Sequence, residues 1–88
     1  MKLLKSLYLI QGLIACDINV GSRDECQAKC DEVDECGAWS YHRQKRVCHT
    51  KGRYGWTAKP NDPYDSGFKN AGPWYEPKTS FAGGDLEC

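Results

Sequence analysis

At 88 residues, with twelve basic and twelve acidic side chains, the chain is one small domain of zero formal charge. Balanced charge gives no ground for nucleic acid or an anionic membrane surface as partner, and no apolar stretch reaches the roughly 18 residues of a spanning helix. Leu, Ile, Val and Phe number only fourteen. That is a thin core for a chain burying about 60% of its unfolded surface, so covalent help is expected from its six cysteines.

The opening run MKLLKSLYLIQGLIAC reads in two ways. Leu13-Ile14-Ala15-Cys16 has the form of a lipobox, but Gln11 and Gly12 interrupt the apolar run before it. Alternatively, Leu7-Tyr8-Leu9-Ile10 is a buried first strand and Cys16 is half of a disulfide. Further on, Ser22-Arg23-Asp24-Glu25 has the capping-box form: Ser22 accepts from the amide of residue 25, and Glu25 reaches back to that of Ser22. Cys26, Cys30 and Val33 then follow at helical spacing, which predicts a helix of about three turns with Cys36 beyond its end.

Ala38-Trp39-Ser40-Tyr41 alternates small and aromatic residues and reads as a half-buried strand. His42-Arg43-Gln44-Lys45 is a turn, with both histidines, His42 and His49, expected to be exposed. Arg46-Val47-Cys48-His49-Thr50 returns to make a hairpin. From Lys51 on, Gly and Pro break the pattern repeatedly. Tyr54, Trp56, Tyr64, Trp74 and Tyr75 are expected to anchor loops over the sheet, with 66–70 the one short strand there. Gly83 to Cys88 reads as a tail held by its last cysteine.

The six cysteines allow fifteen pairings, and spacing alone does not choose among them. Structural zinc would need a repeated C-x2-4-C knuckle or a close His pair. Only Cys26-x3-Cys30 is present, and His42 and His49 are too widely spaced, so no metal and no cofactor is expected. An even disulfide set leaves no thiol nucleophile, and no phosphate loop or calcium-loop order is present. The chain is read as a non-enzyme.

Cys26-Gln-Ala-Lys-Cys30, then Cys36-Gly-Ala-Trp-Ser-Tyr41, Val47-Cys48 and Ser66-Gly67 resemble the PAN/apple domain family over about residues 7–70. Modules of that family occur in plasma kallikrein, factor XI, the hepatocyte growth factor N-domain and apicomplexan microneme adhesins. The resemblance implies an α+β fold: a small disulfide-stapled antiparallel sheet of five or so strands crossed by a single helix. It implies the bridges Cys26–Cys48 and Cys30–Cys36, with a third joining cysteines near the two ends, Cys16 and Cys88. It also uses Leu7–Ile10 as the first strand, which favours that reading of the opening run. The whole of 1–88 is then one module, with 71–88 a Gly/Pro-rich extension ending in Cys88.

The resemblance further implies a secreted, extracellular adhesion or recognition module beside neighbouring modules, reached through the secretory pathway or a microneme-type organelle. Its partner would be a protein receptor or glycan on a cell surface, without membrane insertion. Residues 24–35 are acidic and 42–53 basic, which reads either as two complementary faces of one surface or as a site for a sulfated glycan. The candidate ligand residues are Arg43, Lys45, Arg46, Lys51, Arg53, Tyr54 and Trp56. Exposed aromatics offer a protein hot spot or a stacking face for a neutral sugar. A third reading is a structural spacer in a tandem array.

Overall fold

The computed structural model describes residues 17–86. The expected strand Leu7–Ile10 and the expected Cys16–Cys88 bridge lie outside the described residues. In chain order the elements are β1 (Asp17–Asn19), α1 (Arg23–Glu32), β2 (Ala38–His42), β3 (Val47–Pro60), β4 (Tyr64–Phe68) and β5 (Thr79–Asp85). The strands form one five-stranded antiparallel sheet in the order β1-β3-β2-β4, with β5 also paired to β3. Among the described residues the fold is α+β, five strands crossed by one helix.

The helix starts where its capping residues put it. Ser22 is extended and accepts from the Glu25 amide at 3.3 Å, satisfying one of the first-turn donors that lack an intrahelical partner. Glu25 reaches back to the amide of Gly21, at 2.7 Å, one residue earlier than the capping box predicts. Cys26, Gln27 and Cys30 are the buried positions of α1, and Val33 closes it by donating its amide to Cys30 O. Cys26 is bonded to Cys48 on β3, and Cys30 to Cys36 just before β2. Both bridges enter a core with Val20, Val33, Trp39 and Tyr41.

Gln27 sits on the same buried stripe. Its Oε1 accepts from Trp39 Nε1 at 3.1 Å, and its Nε2 donates to Phe68 O at 2.9 Å. One helical side chain thus ties α1 to both β2 and β4, and it is the hydrogen-bond partner that a buried indole N–H requires.

The hairpin turn falls at Arg43–Arg46 rather than 42–45, because His42 remains in the ladder opposite both Val47 and Tyr64. Arg46 takes positive φ and donates its amide to His42 O at 2.8 Å. The histidines are half-buried rather than exposed: His42 packs edge-on to Tyr64, and His49 meets Asp17 at 2.7 Å. β4 covers 64–68, two residues earlier than the expected 66–70.

The largest departure lies after Lys51. The expected loose region is instead the second half of a 14-residue strand. Past an irregularity between Lys51 and Trp56, β3 pairs again, Trp56↔Gly83 through Pro60↔Thr79. The Gly/Pro-rich extension, with the first residues of the supposed tail, supplies the partner strand β5. Gly55 at the irregularity and Gly83 and Gly84 opposite it have positive φ, a backbone state that glycine adopts without a Cβ clash. The resulting ribbon folds over the sheet face opposite α1. Both faces of β2 are therefore covered, and Ala38, Trp39, Ser40 and Tyr41 are all buried where a half-buried strand was expected.

A candidate aromatic recognition cleft

Strand alternation sends Trp39 and Tyr41 toward α1 and Ala38 and Ser40 toward the ribbon. Opposite Ala38 and Ser40 in the register stand Phe68 and Ser66 of β4. The small side chains of Ala38, Ser40 and Ser66 leave room for the ribbon to approach closely. Phe81 of β5 fills that room and is 1% exposed. Its amide donates to Ser40 Oγ at 2.9 Å, Ser40 Oγ lies 2.7 Å from Ser66 Oγ, and Ser66 Oγ donates to Thr79 O at 2.7 Å. Ser66 spends its single proton on a carbonyl, so the proton between the two serines is that of Ser40.

Trp56 stacks on Phe81 with ring centroids 4.3 Å apart, and Phe68 lies 5.8 Å from Trp56 and 5.4 Å from Phe81. Trp74, from the loop after β4, stacks on the outer side of Phe68 at 5.9 Å. Phe68 and Trp74 are 36% and 51% exposed, so the row of rings runs from buried to open. Between the ribbon and the β4 edge lies a cleft of about 300 Å³, with Trp56, Ala58, Pro60, Phe68, Glu76 and Phe81 in its walls.

Buried Asp65 holds the loop that carries Trp74 and Glu76. It accepts from Arg43 at 2.7 Å and from the Lys78 amide at 3.2 Å, and Arg23 lies 3.6 Å from its other oxygen. Arg23 also sits 3.7 Å over the Tyr75 ring. Glu76 exchanges two backbone hydrogen bonds with Ser66, at 2.9 and 2.6 Å. The outer wall of the cleft is thus tied down by polar contacts to one buried carboxylate.

The seven residues singled out in the sequence do not form one site. Arg43 is committed to Asp65 and to the Asp62 carbonyl. Lys51 is not a surface cation: β3 is flanked there by Ala38 and Asp85, and its ammonium is buried against the Asp85 carboxylate. Lys45 and Arg46 stand exposed at the turn. Arg53 and Tyr54 border a separate hollow with Asp34, Glu35 and Gly52. Arg53 donates there to Asp34 O, and Tyr54 is 85% exposed. Of the seven, Trp56 alone reaches the aromatic cleft.

Trp74 was noted only as one of the aromatics of 54–75; Phe68, Phe81 and Glu76 were not picked out as binding residues, because they meet Trp56 only when β5 pairs with β3. Among the described residues, no group of three or more His, Cys, Asp or Glu side chains is placed to hold a metal ion. A family model described as the PAN domain matches residues 8–70. No curated protein and no solved structure matches the chain.

Proposed function

The chain belongs to the PAN domain family, and we propose that it is one recognition unit of a larger extracellular protein and grips a protein ligand at the aromatic cleft. PAN modules are non-catalytic, mediate protein–protein contacts and adhesion, and are typical of secreted or extracellular proteins. The observation that carries the reading is the open end of the ring row, Phe68 and Trp74, beside a cleft whose outer wall is tied down at Asp65 and Ser66. Aromatic rings held in place contribute large contact area at little entropic cost, which is why such residues dominate interface hot spots. A single module of this size binds weakly and gains strength from neighbours in an array. Cell attachment of the microneme type is one setting for such a device.

The test uses the module multimerised on a fluorescent scaffold and applied to intact cells. Binding abolished by W74A and by prior protease treatment of the cells, but unchanged after glycan removal, supports the reading. Binding indifferent to W74A and to protease overturns it.

A sulfated-glycan site is the second reading, favoured by the exposed Lys45 and Arg46 at the turn. With Arg43 and Lys51 committed internally, that patch is smaller than its sequence suggests. Heparin retention lost both in high salt and in a K45E/R46E variant would favour it over the cleft.

A further inference from the structure

We propose that the cleft receives a cationic side chain, a lysine or arginine projecting from the protein partner, between the Trp56 and Phe68 rings and the Glu76 carboxylate. This rests on the protein-recognition reading above and specifies the chemistry of the group received.

The cleft's charge is the first reason. Glu76 lines it and takes part in none of the ion pairs among the described residues. The one cation along the same wall is Lys59, and strand alternation sends its side chain to the opposite face of β3 from Trp56, Ala58 and Pro60. An unpaired carboxylate beside aromatic rings leaves the site complementary to positive charge.

Geometry is the second. A cation within about 6 Å of an aromatic centroid gains roughly 0.5–2 kcal/mol, more as water is excluded. Trp56 and Phe68, with centroids 5.8 Å apart, can both come within that range of one inserted head group. Ala58 and Pro60 offer apolar contact for the alkyl stem. At about 300 Å³ the cleft has room for one long side chain.

A neutral sugar is a poorer fit. Stacked sugars need several in-plane polar partners, and Glu76 and Thr79 are the acidic or hydroxyl-bearing residues in the walls. Thr79 is already engaged, its hydroxyl donating to Pro77 O and its carbonyl accepting from Ser66.

The test is an NMR titration of the intact, oxidised chain with the N-acetyl methylamides of lysine, arginine and norleucine. The Trp56 indole N–H, which donates to Gly52 O, is the reporter. The lysine and arginine compounds are expected to give saturable shifts with millimolar Kd, weakened about tenfold in E76Q, while norleucine gives none. In the wild type, an excess of norleucine compound should fail to displace the lysine compound, a result independent of how the variant folds. Equal binding of norleucine and lysine, or an unchanged Kd in a folded E76Q, overturns the cationic specificity. W74A-sensitive, protease-sensitive cell binding would then leave the protein-recognition reading standing, so the two failures are distinguishable.

Discussion

The hydroxyls of Ser40 and Ser66 face each other across β2 and β4 at 2.7 Å, and their protons run in one direction, from the Phe81 amide to the Thr79 carbonyl. Each serine both accepts and donates, so the four groups form a chain, buried except at its Thr79 end, in which every link polarises the next. This chain fastens the ribbon to the sheet beneath it.

Replacing Ser40 by Ala leaves the Phe81 amide without an acceptor and Ser66 Oγ without a donor. The expected cost is about 1–3 kcal/mol in urea unfolding. S66A should cost less, because Thr79 O is only partly buried. The double variant should fall short of the sum of the singles by about 0.5 kcal/mol or more, as residues in one network do. Strict additivity would contradict the shared chain.

The Ser66-Gly67 pair has a separate reason for its second residue. A Cβ on Gly67 would lie 2.6 Å from Trp39 Cζ2 and 2.8 Å from Cε2. Trp39 cannot retreat without breaking its bond to Gln27. Gly67→Ala should therefore destabilise by about 1–3 kcal/mol and shift Trp39 emission in the folded state. Ala at Gly72, which has φ +66° but no atom within 4 Å of an added Cβ, should pay only the backbone strain of its φ.

The two described bridges close loops of different length, 22 residues for Cys26–Cys48 and 6 for Cys30–Cys36. On the chain-entropy model these are worth about 3.4 and about 2.2 kcal/mol at 25 °C. Paired serine variants should follow that order, with C26S/C48S less stable by about 1 kcal/mol. Chemical denaturation of the two variants checks it, and a reversed order would indicate that the short loop orders α1 beyond its entropy.

For the remaining cysteines, Cys16 and Cys88, the neighbouring residues supply a prediction. Asp17 is paired with His49, and the Leu86 amide bonds Thr50 O, so the adjoining segments reach adjacent positions on one edge of β3. We propose that they form the third bridge. Intact mass should be six hydrogens below the reduced chain, and a peptide map should link Cys16 with Cys88. A deficit of four hydrogens would overturn the proposal.

How much of this was legible in the residues depended on range. The helix was readable because its signals are local: Ser22 and Glu25 mark the start, and the two cysteines four apart mark the buried stripe. The hairpin was readable because Trp39, Tyr41 and Cys48 alternate within a few positions. The far half of β3 and all of β5 were not. Arg53, Tyr54, Gly55, Thr57, Ala58 and Lys59 are exposed, so burial imposes no alternation on them. Their pairing is specified by glycines more than twenty residues away, Gly83 and Gly84. The cleft inherited that blindness. Trp56 attracted notice as an aromatic, whereas Phe68, Phe81 and Glu76 meet it only through the ladder.

The 14 residues of β3 divide the labour of the module along one continuous backbone. The first five, Val47–Lys51, lie in the sheet with β1 and β2, include the Cys48 bridge and tolerate little change. The last five, Trp56–Pro60, touch the core through one face only. Side chains on their outer face, Thr57 and Lys59, are free to drift without unsettling the helix or the disulfides. A scaffold partitioned in this way lets its exposed half vary while its foldability is inherited unchanged.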